Sequence, residues 1–400
     1  MPDAALDCIK VLDLTHHVAG PYCTKLLADF GAEVIKIERP GSGDPARRMT
    51  PFFHDEPHLE KSLPFLYLNT SKRSMTLDIT SETGRSILKR LVQETDVLVE
   101  SFSPSVLPSL GLDYESLREI NPDLVMVSVS NFGQTGPYRD YEATDIVEYA
   151  LGGMMYIFGR QEREPLKHAL RQAQFKAGTN AASATAIAVF HRQQTGQGQH
   201  VDVSVQESIT SALRDTASAY AYTGAIKHRQ PAYTGELPRA PVEVKDGYIV
   251  PIVYGAVNWA AMAEFLDAPE LADERFSTPE GRRANARELR EIVTERFGQW
   301  EKSELFYTAH RVREYIFGMV QNPGEVLENP QYKARGYFVD IEHPVAGTAA
   351  YPGAPFSMSQ TPWNAQSPAP TLGQHNREIL CDRLGYSLEE LALLRASGVI

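Results

Sequence analysis

The sequence predicts an α/β protein with a large, doubly wound, Rossmann-like domain and a small α+β domain. Between residues 8 and 208, short apolar runs alternate with helical segments, the pattern of a parallel sheet with crossover helices. A polar passage with several proline and glycine residues follows at residues 224–241 and is typical of a domain boundary. A chain of 400 residues is also longer than a single hydrophobic core usually supports, which favours two domains. We therefore expect a large domain at 1–224, a small domain at 225–325 and a C-terminal segment at 326–400.

The elements of the large domain are predicted from apolar runs and the turn residues between them. Strands are expected at residues 8–14, 33–38, 75–79, 96–102 and 124–130, and helices at 24–30, 81–93, 114–120 and 179–194. A helix separates the first two strands, which therefore form a parallel pair. Their connection lacks the Gly-x-Gly-x-x-Gly motif that lets a backbone approach a pyrophosphate. This disfavours the alternative of a nicotinamide enzyme with Glu38 on a ribose.

The small domain is predicted from a hairpin followed by helices. Residues 242–252 are predicted to form a hairpin with Asp246-Gly247 at its turn, because this dipeptide is typical of two-residue hairpin turns. Helical stretches are expected at 257–266, 281–297 and 301–313. This mixture indicates an α+β arrangement.

Composition and charge exclude several classes of partner. The net charge of -12 argues against nucleic acid and anionic membrane surfaces, although an anionic ligand can still bind where the local charge is positive. Cys8, Cys23 and Cys381 are too few and too scattered for a disulfide framework or a metal cluster. We see neither a signal-peptide pattern nor an apolar stretch of ~20 residues. We therefore expect a cytoplasmic protein without a membrane or nucleic-acid partner.

The most informative stretch runs from residue 125 to residue 208. A buried strand there ends on a glycine-rich turn, at the sheet edge where open α/β folds keep their ligands. The turn Gly133-Gln-Thr-Gly-Pro-Tyr138 and the later run Thr195-Gly-Gln-Gly-Gln-His-Val-Asp-Val-Ser204 resemble the signature turns of class III CoA-transferases. Further similarity at Tyr351-Pro-Gly-Ala-Pro355 and Leu372-Gly-Gln-His375 extends the resemblance over nearly the whole chain.

The resemblance implies an enzyme that moves CoA from an acyl-CoA to a carboxylic acid, with CoA thioesters as substrates and no permanently bound cofactor or metal. It also implies two chains threaded through each other as an interlocked-ring dimer, with the C-terminal segment returning to the large domain. In such enzymes the nucleophile is an aspartate four residues before a glycine. Here that glycine matches Gly178, and Gln174 occupies the position of the nucleophile. A neutral amide cannot form the acyl anhydride, so this chain is expected to have no catalytic nucleophile of its own.

The same resemblance assigns candidate CoA contacts. The matching positions are His17, Val18, Ala19, Arg39, Lys72, Arg73 and Phe102. Two further positions depart from the family pattern, since Ser109 replaces an arginine and Glu142 replaces a lysine. A lost charge-assisted contact costs roughly 1.5–3 kcal/mol, so CoA binding by this chain is expected to be weak. For His16 the alternative is that it only caps the local backbone.

Three functions remain open. The leading hypothesis is the non-catalytic subunit of a heteromeric member, of the succinyl-CoA:benzylsuccinate CoA-transferase type, paired with a paralogous chain that carries the aspartate. The first alternative is a self-sufficient homodimer that uses another residue, for which Asp145 and Glu148 are candidates at helical spacing. The second is a CoA-ester-binding protein without catalysis. Racemisation is disfavoured because Thr144 stands where the racemase branch has its histidine.

Overall fold

The chain folds into two units. The computed structural model describes residues 4–229, 240–253, 257–312, 315–365 and 367–400. The larger unit comprises Met1–Met154, Lys167–Tyr222 and Ala334–Ile400, and the smaller comprises Met155–Leu166 and Thr223–Lys333. The sequence placed residues 155–166 in the large domain and began the C-terminal segment at 326, so these two boundaries differ from the expected ones.

A six-stranded sheet, parallel throughout, forms the centre of the larger unit. Its strands are β1 (Lys10–Leu14), β2 (Glu33–Glu38), β3 (Arg73–Thr76), β4 (Val97–Glu100), β5 (Val125–Ser130) and β6 (His200–Ser204). Their spatial order is β3-β2-β1-β4-β5-β6, which reverses direction between β1 and β4. Every residue of β5 is buried, as expected for a strand covered on both faces. The predicted doubly wound α/β fold is confirmed.

Ten α-helices occur among the described residues up to 223. They are α1 (Ala19–Ala28), α2 (Leu63–Leu68), α3 (Glu82–Val92), α4 (Val106–Ser109), α5 (Tyr114–Arg118), α6 (Asp145–Leu151), α7 (Met154–Ile157), α8 (Gln172–Thr195), α9 (Val205–Thr210) and α10 (Asp215–Thr223). Residues 155–157 of one of them, α7, belong to the smaller unit. Among the described residues, none of the helices has both the length and the apolar character needed to cross a membrane.

The smaller unit contains the predicted hairpin and helices. Its elements are β7 (Val242–Val244), β8 (Gly247–Val253), α11 (Trp259–Phe265), α12 (Pro279–Ala284), α13 (Ala286–Phe297), α14 (Lys302–Ala309), β9 (Tyr315–Met319) and α15 (Pro323–Glu328). The strands pair antiparallel in the order β7-β8-β9. Asn285 divides the stretch that was predicted as one helix at 281–297. Residue 313, the predicted end of the last helix, lies outside the described residues.

The C-terminal segment contributes to the larger unit. After α16 (Pro330–Ala334) it forms the hairpin β10 (Phe338–His343) and β11 (Gly347–Pro352), a π-helix (Glu378–Arg383) and α17 (Leu388–Ala396). The backbone amides of Ser74 and Thr76, on the edge strand β3, donate to the side chains of His375 at 3.0 Å and Asn376 at 2.8 Å. The segment therefore covers a sheet edge that would otherwise expose unpaired backbone groups.

Two helix starts near the sheet edge differ from the predictions. Helix α1 begins at Ala19, inside the segment expected to be a loop, and α8 begins at Gln172 rather than at residue 179. Gln174 therefore lies in the first turn of α8 and not in a preceding loop. The reason is non-local, because Asp145 Oδ1 accepts from the Ala173 amide at 2.9 Å and satisfies a helix end that its own N-cap residue leaves unpaired.

Close packing of α1 against α8 depends on a glycine. A Cβ added at Gly178 would lie 2.6 Å from the carbonyl oxygen of Ala19 and 3.1 Å from the Tyr22 side chain. The two backbones can approach this closely only because residue 178 lacks a side chain. At the other end, α8 stops at Gly196, whose φ of 68° is the left-handed conformation typical of a helix C-terminus.

Replacing Gly178 by alanine is expected to lower the free energy of unfolding. Overpacking of this kind costs about 1–3 kcal/mol, whereas the gain in helix propensity offsets at most about 1 kcal/mol. Denaturant titration measures the difference. Ser183→Ala, on the exposed face of the same helix, is the matched control and should change little. A Gly178→Ala variant as stable as this control would contradict the close contact between α1 and α8.

Candidate functional site

Two adjoining cavities lie along the carboxyl edge of the parallel sheet. The first has a volume of about 440 Å³ and the second about 430 Å³. They share His16, His17, Ser101 and Phe102, so together they form one groove. The rest of the first cavity is lined by Val18, Ala19, Ser103, Pro104, Val129, Ser130, Asn131, Arg139, Asp140, Tyr141, Ala143, Thr144, Asp145, Arg171, Gln174 and Val205.

The turn between β1 and α1 forms the wall common to both cavities. The His16 amide donates to Ser101 Oγ at 2.8 Å, and the His17 amide donates to Asp44 Oδ1 at 3.0 Å. His17 has a φ of 65°, a conformation that costs a non-glycine residue energy and persists only where neighbouring groups enforce it. The His16 ring packs edge-on against Phe102, and burial lowers its pKa. Neutral imidazole is therefore the form presented to the groove.

Gln174 reaches the first cavity from the first turn of α8. Its Nε2 donates to both carboxylate oxygens of Glu148, at 2.9 and 2.8 Å. With its amide hydrogens directed at Glu148, the side chain offers the cavity a carbonyl oxygen, which accepts hydrogen bonds but does not attack a thioester. At this position the site can bind and orient a ligand, and it supplies no nucleophile.

Glu148 lies fully buried beneath Gln174. Burial, together with the nearby charge of Asp145, raises its pKa to about 7 despite the amide donated by Gln174. In the orientation that satisfies both ends of its amide, Asn131 donates to Glu148 Oε1 at 3.1 Å and accepts from the Ala143 amide at 3.0 Å. Two carboxamides therefore hold this carboxyl group away from the cavity.

Asp145 has structural partners on both oxygens. Oδ1 accepts from the Ala173 amide, and Oδ2 pairs with Lys167 Nζ at 2.8 Å. Asp145 lines the cavity, but these contacts reduce its nucleophilicity, because attack on a thioester would break them. Neither carboxylate proposed as a substitute nucleophile is therefore presented freely to a ligand.

The structure brings only some of the predicted CoA contacts to the groove. His17, Val18, Ala19 and Phe102 line the first cavity, and Arg39 lines the second together with Arg48, which the sequence analysis missed. Val18 and Ala19 line the first cavity even though α1 begins earlier than expected, and their contact with CoA stays a prediction.

Lys72 and Arg73 lie elsewhere. The buried Lys72 Nζ donates to Asp13 Oδ2 at 3.0 Å, the Pro21 carbonyl at 2.9 Å and Asn69 Oδ1 at 2.9 Å, and burial lowers its pKa to about 8. Arg73 forms exposed ion pairs with Glu33 and Glu378. The family resemblance predicted CoA contacts for both residues, whereas Lys72 forms interior contacts and Arg73 forms ion pairs at the surface.

The two positions that depart from the family pattern do not line the described part of either cavity. Ser109 is exposed and donates to the Val106 carbonyl within α4, and Glu142 is exposed. Thr144, at the racemase histidine position, does line the first cavity. Neither position 109 nor position 142 therefore lies at the groove, and their effect on CoA binding stays a prediction.

Sequence reasoning missed three residues of the first cavity. Ser130, the last residue of β5, is buried and its hydroxyl has no hydrogen-bond partner. Arg139 and Arg171 line the same cavity, and they are its only lysine or arginine residues among those described. Arg139 follows the glycine-rich turn directly, which is a signal that sequence inspection could have used. These groups can bind a carboxylate or a carbonyl oxygen.

Replacing Glu148 by glutamine is expected to flatten the pH dependence of stability. The folded-state pKa of about 7 lies above the ~4.3 of an unfolded glutamate. Between these values the folded state binds more protons, so the free energy of unfolding falls as pH rises, by up to roughly 1.4 kcal/mol per unit of pKa shift. Denaturant titrations at about pH 5 and about pH 8 measure this fall.

The exposed Glu119→Gln is the matched control and should keep the wild-type slope. A Glu148→Gln variant whose stability falls as steeply as that of the wild type would contradict the raised pKa.

Comparisons with known proteins agree with this geometry. The model of CoA-transferase family III matches residues 6–376. Succinyl-CoA–D-citramalate CoA-transferase of Chloroflexus aurantiacus is 36% identical, over 100% of this chain and 99% of the relative. Succinyl-CoA:(R)-benzylsuccinate CoA-transferase subunit BbsE of Thauera aromatica is 32% identical, over 98% and 97%.

Among solved structures, a CAIB/BAIF family protein from Brucella suis superposes with a TM-score of 0.86 at 32% identity, covering 96% of this chain and 99% of the other. The family match spans the sheet, the groove and Gln174, and the fold agrees with it over nearly the full length. The chain therefore belongs to CoA-transferase family III.

Proposed function

We propose that this chain is the non-catalytic subunit of a heteromeric class III CoA-transferase. The enzyme would transfer CoA from an acyl-CoA such as succinyl-CoA to a carboxylic acid, with benzylsuccinate among the candidate acceptors. A paralogous chain would supply the nucleophilic aspartate, and the two chains would form the interlocked dimer that the family resemblance implies. The cytoplasm is the proposed location.

The observation that carries this proposal is the pairing of Gln174 with Glu148. A carboxylate at position 174 is required for an acyl anhydride, and the amide there already donates to both oxygens of a buried acid. An aspartate in its place would bring a second carboxyl group close to Glu148. Because adjacent carboxylates resist ionising together, the pair would hold one proton between them, and the hydrogen bond that this proton makes would weaken the ionised partner as a nucleophile.

A partner chain is supported by the surface of α6. This helix buries its polar residues Asp145 and Glu148 and exposes apolar ones, with Ile146 and Leu151 each 51% exposed. A helix on the surface of a monomer shows the opposite pattern. Covering such side chains stabilises an assembly by up to about 1.5–3 kcal/mol each, so a second chain against α6 is favourable.

The middle of α8 also exposes apolar residues. Ile187 is 71% and Phe190 65% exposed, on a helix whose other face is packed against α1. Clustered exposed apolar residues are typical of protein interfaces. The relative from Thauera aromatica is by its name a subunit, which supports assembly with a different chain.

The groove supports retention of a CoA-ester site of reduced affinity. Arg39 and Arg48 provide positive charge in the second cavity, where phosphates would lie. In the first cavity, Arg139, Arg171 and the unpaired hydroxyl of Ser130 suit an acyl or acid group. In the heteromer this chain would then form part of the substrate-binding surface without contributing the nucleophile.

The purified chain alone is expected to show no CoA transfer, because Gln174 cannot form the anhydride. Coexpressed with its paralogue, it should form a stoichiometric and active complex. Thioester exchange between succinyl-CoA and a panel of carboxylic acids, including aryl-substituted succinates, measures the activity. Robust turnover by the lone chain, or a homodimer that ignores the paralogue, would favour the self-sufficient enzyme instead.

Two variants of that complex test which of the two chains supplies the nucleophile. Replacing the aspartate of the paralogous chain by asparagine should abolish transfer. Gln174→Asp in this chain should restore little activity to a complex so inactivated, because a hydrogen bond shared with Glu148 would weaken the new carboxylate as a nucleophile. Full activity of Gln174→Asp would show that only the missing carboxylate separates this chain from a catalytic one.

CoA affinity is expected to be at least ~10-fold lower for this chain than for its paralogue, which corresponds to ~1.4 kcal/mol. The family resemblance predicts lost positive charges at Ser109 and Glu142, and Arg39 and Arg48 are the only lysine or arginine residues in the described lining of the second cavity. Arg39→Gln should therefore weaken binding further, by roughly 1.5–3 kcal/mol, while the exposed Arg287→Gln should not. Calorimetry with CoA tests this. Equal affinity in both chains, or no effect of Arg39→Gln, would contradict the proposed phosphate contacts.

A further inference from the structure

A third cavity, of about 320 Å³, opens on the other side of the turn that borders the groove. Ser103 and Pro104 line both this cavity and the first one, so a short piece of backbone separates the two. The remaining lining residues are Glu100, Leu107, Pro108, Asp113, Tyr114, Glu115, Met126, Ser128, Gln134 and His200. The reaction proposed above uses none of these ten side chains.

Polar side chains from three neighbouring strands form the floor of the third cavity. Glu100 on β4 pairs in register with Ser128 on β5, and both are buried. The Ser128 hydroxyl interacts with the Glu100 side chain and is hydrogen-bonded to His200 Nε2 on β6 at 2.8 Å. Glu100, Ser128 and His200 thus form one connected polar group at the floor of the cavity.

Glu100 is a buried acid without a positive partner. Its Oε2 accepts from the Phe102 amide at 2.8 Å, but among the described residues it forms no ion pair. Elsewhere in this unit a comparable buried acid, Glu38, is paired with Arg47 at 2.7 Å. A buried carboxylate without a counter-charge is costly, and burial raises the pKa of Glu100 to about 7. A cation in the cavity would supply the missing charge.

The walls of the cavity suit a flat organic cation. The Tyr114 ring stacks on His200, with centroids 5.5 Å apart and an interplanar angle of 17°. Leu107 and Met126 add buried apolar surface. Aromatic faces attract ammonium groups and pack well against flat apolar bodies.

Acidic side chains near the opening of the third cavity also favour a cationic ligand. Asp113 and Glu115 lie at the cavity, and the lining residues that the structure describes include no lysine or arginine. This distinguishes the third cavity from the groove, where Arg39, Arg139 and Arg171 favour anions. CoA phosphates and free carboxylates are therefore unsuited to it.

We propose that the third cavity is a binding site for a small organic ammonium ion with a flat apolar body. The ammonium group bonds to Glu100, and the apolar body packs against Tyr114, His200 and Leu107. The occupant also touches Ser103 and Pro104, and so lies against the backbone that forms the wall of the CoA groove.

Calorimetry of the full chain with benzylamine near neutral pH tests this site, with benzyl alcohol and benzoate as probes of the same shape and different charge. Benzylamine should bind, and each of the other two should bind at least ~10-fold more weakly. Equal affinity for benzylamine and benzyl alcohol would overturn the assignment of an ammonium ligand, and absence of benzylamine binding would overturn the site.

Two variants locate the binding. Glu100→Gln should lower the affinity for benzylamine at least ~10-fold, while Glu119→Gln, an exposed glutamate outside the cavity, should leave it unchanged. His200→Ala removes part of the aromatic wall of the cavity and should weaken benzylamine binding. This variant tests the site independently if Glu100→Gln fails to fold. Benzylamine affinity that is unchanged in the folded variants would place the amine elsewhere and overturn the proposal.

Discussion

The groove depends on a network of buried charges at the carboxyl ends of β1 and β2. Asp13 accepts from Lys72 Nζ at 3.0 Å and has Lys36 Nζ 4.0 Å away, while Lys36 pairs with Asp44 at 2.9 Å. Burial would raise the pKa of Asp13, but the two lysines hold it well below its usual range. Breaking such a network by removing one partner costs about 3–5 kcal/mol. Since Asp44 also accepts from the His17 amide, the network fixes the turn that forms the wall of both cavities.

The sequence predicted the sheet better than the site because the two depend on different kinds of interaction. The burial of a strand such as β5 can be predicted from the apolar residues of the strand itself. The start of α8 depends instead on Asp145, a residue outside the helix, so Gln174 was expected in a loop. Lys72 shows the same limit. The family resemblance predicted a CoA contact for this lysine, and only the fold reveals that Asp13 occupies its ammonium group.

Gln174 and Glu148 have to be considered together. Taken alone, Gln174 looks like the loss of a nucleophile. With Glu148 beneath it, the glutamine also satisfies both oxygens of a buried acid, which an aspartate could not do while ionised. Reactivity at this position is therefore a property of the pair. A change at either residue alters the hydrogen bonding and ionisation of the other.

The same pair connects the site to the surface of the molecule. Glu148 and Asp145 lie on the buried face of α6, one turn apart, and the opposite face presents Ile146 and Leu151. A chain covering that face would remove water from the helix that carries both acids. Because desolvation is already the largest cause of the raised pKa of Glu148, further exclusion of water would favour its neutral form. In a heteromer of the proposed kind, assembly and the ionisation state of the site would be coupled in this way through a single short helix.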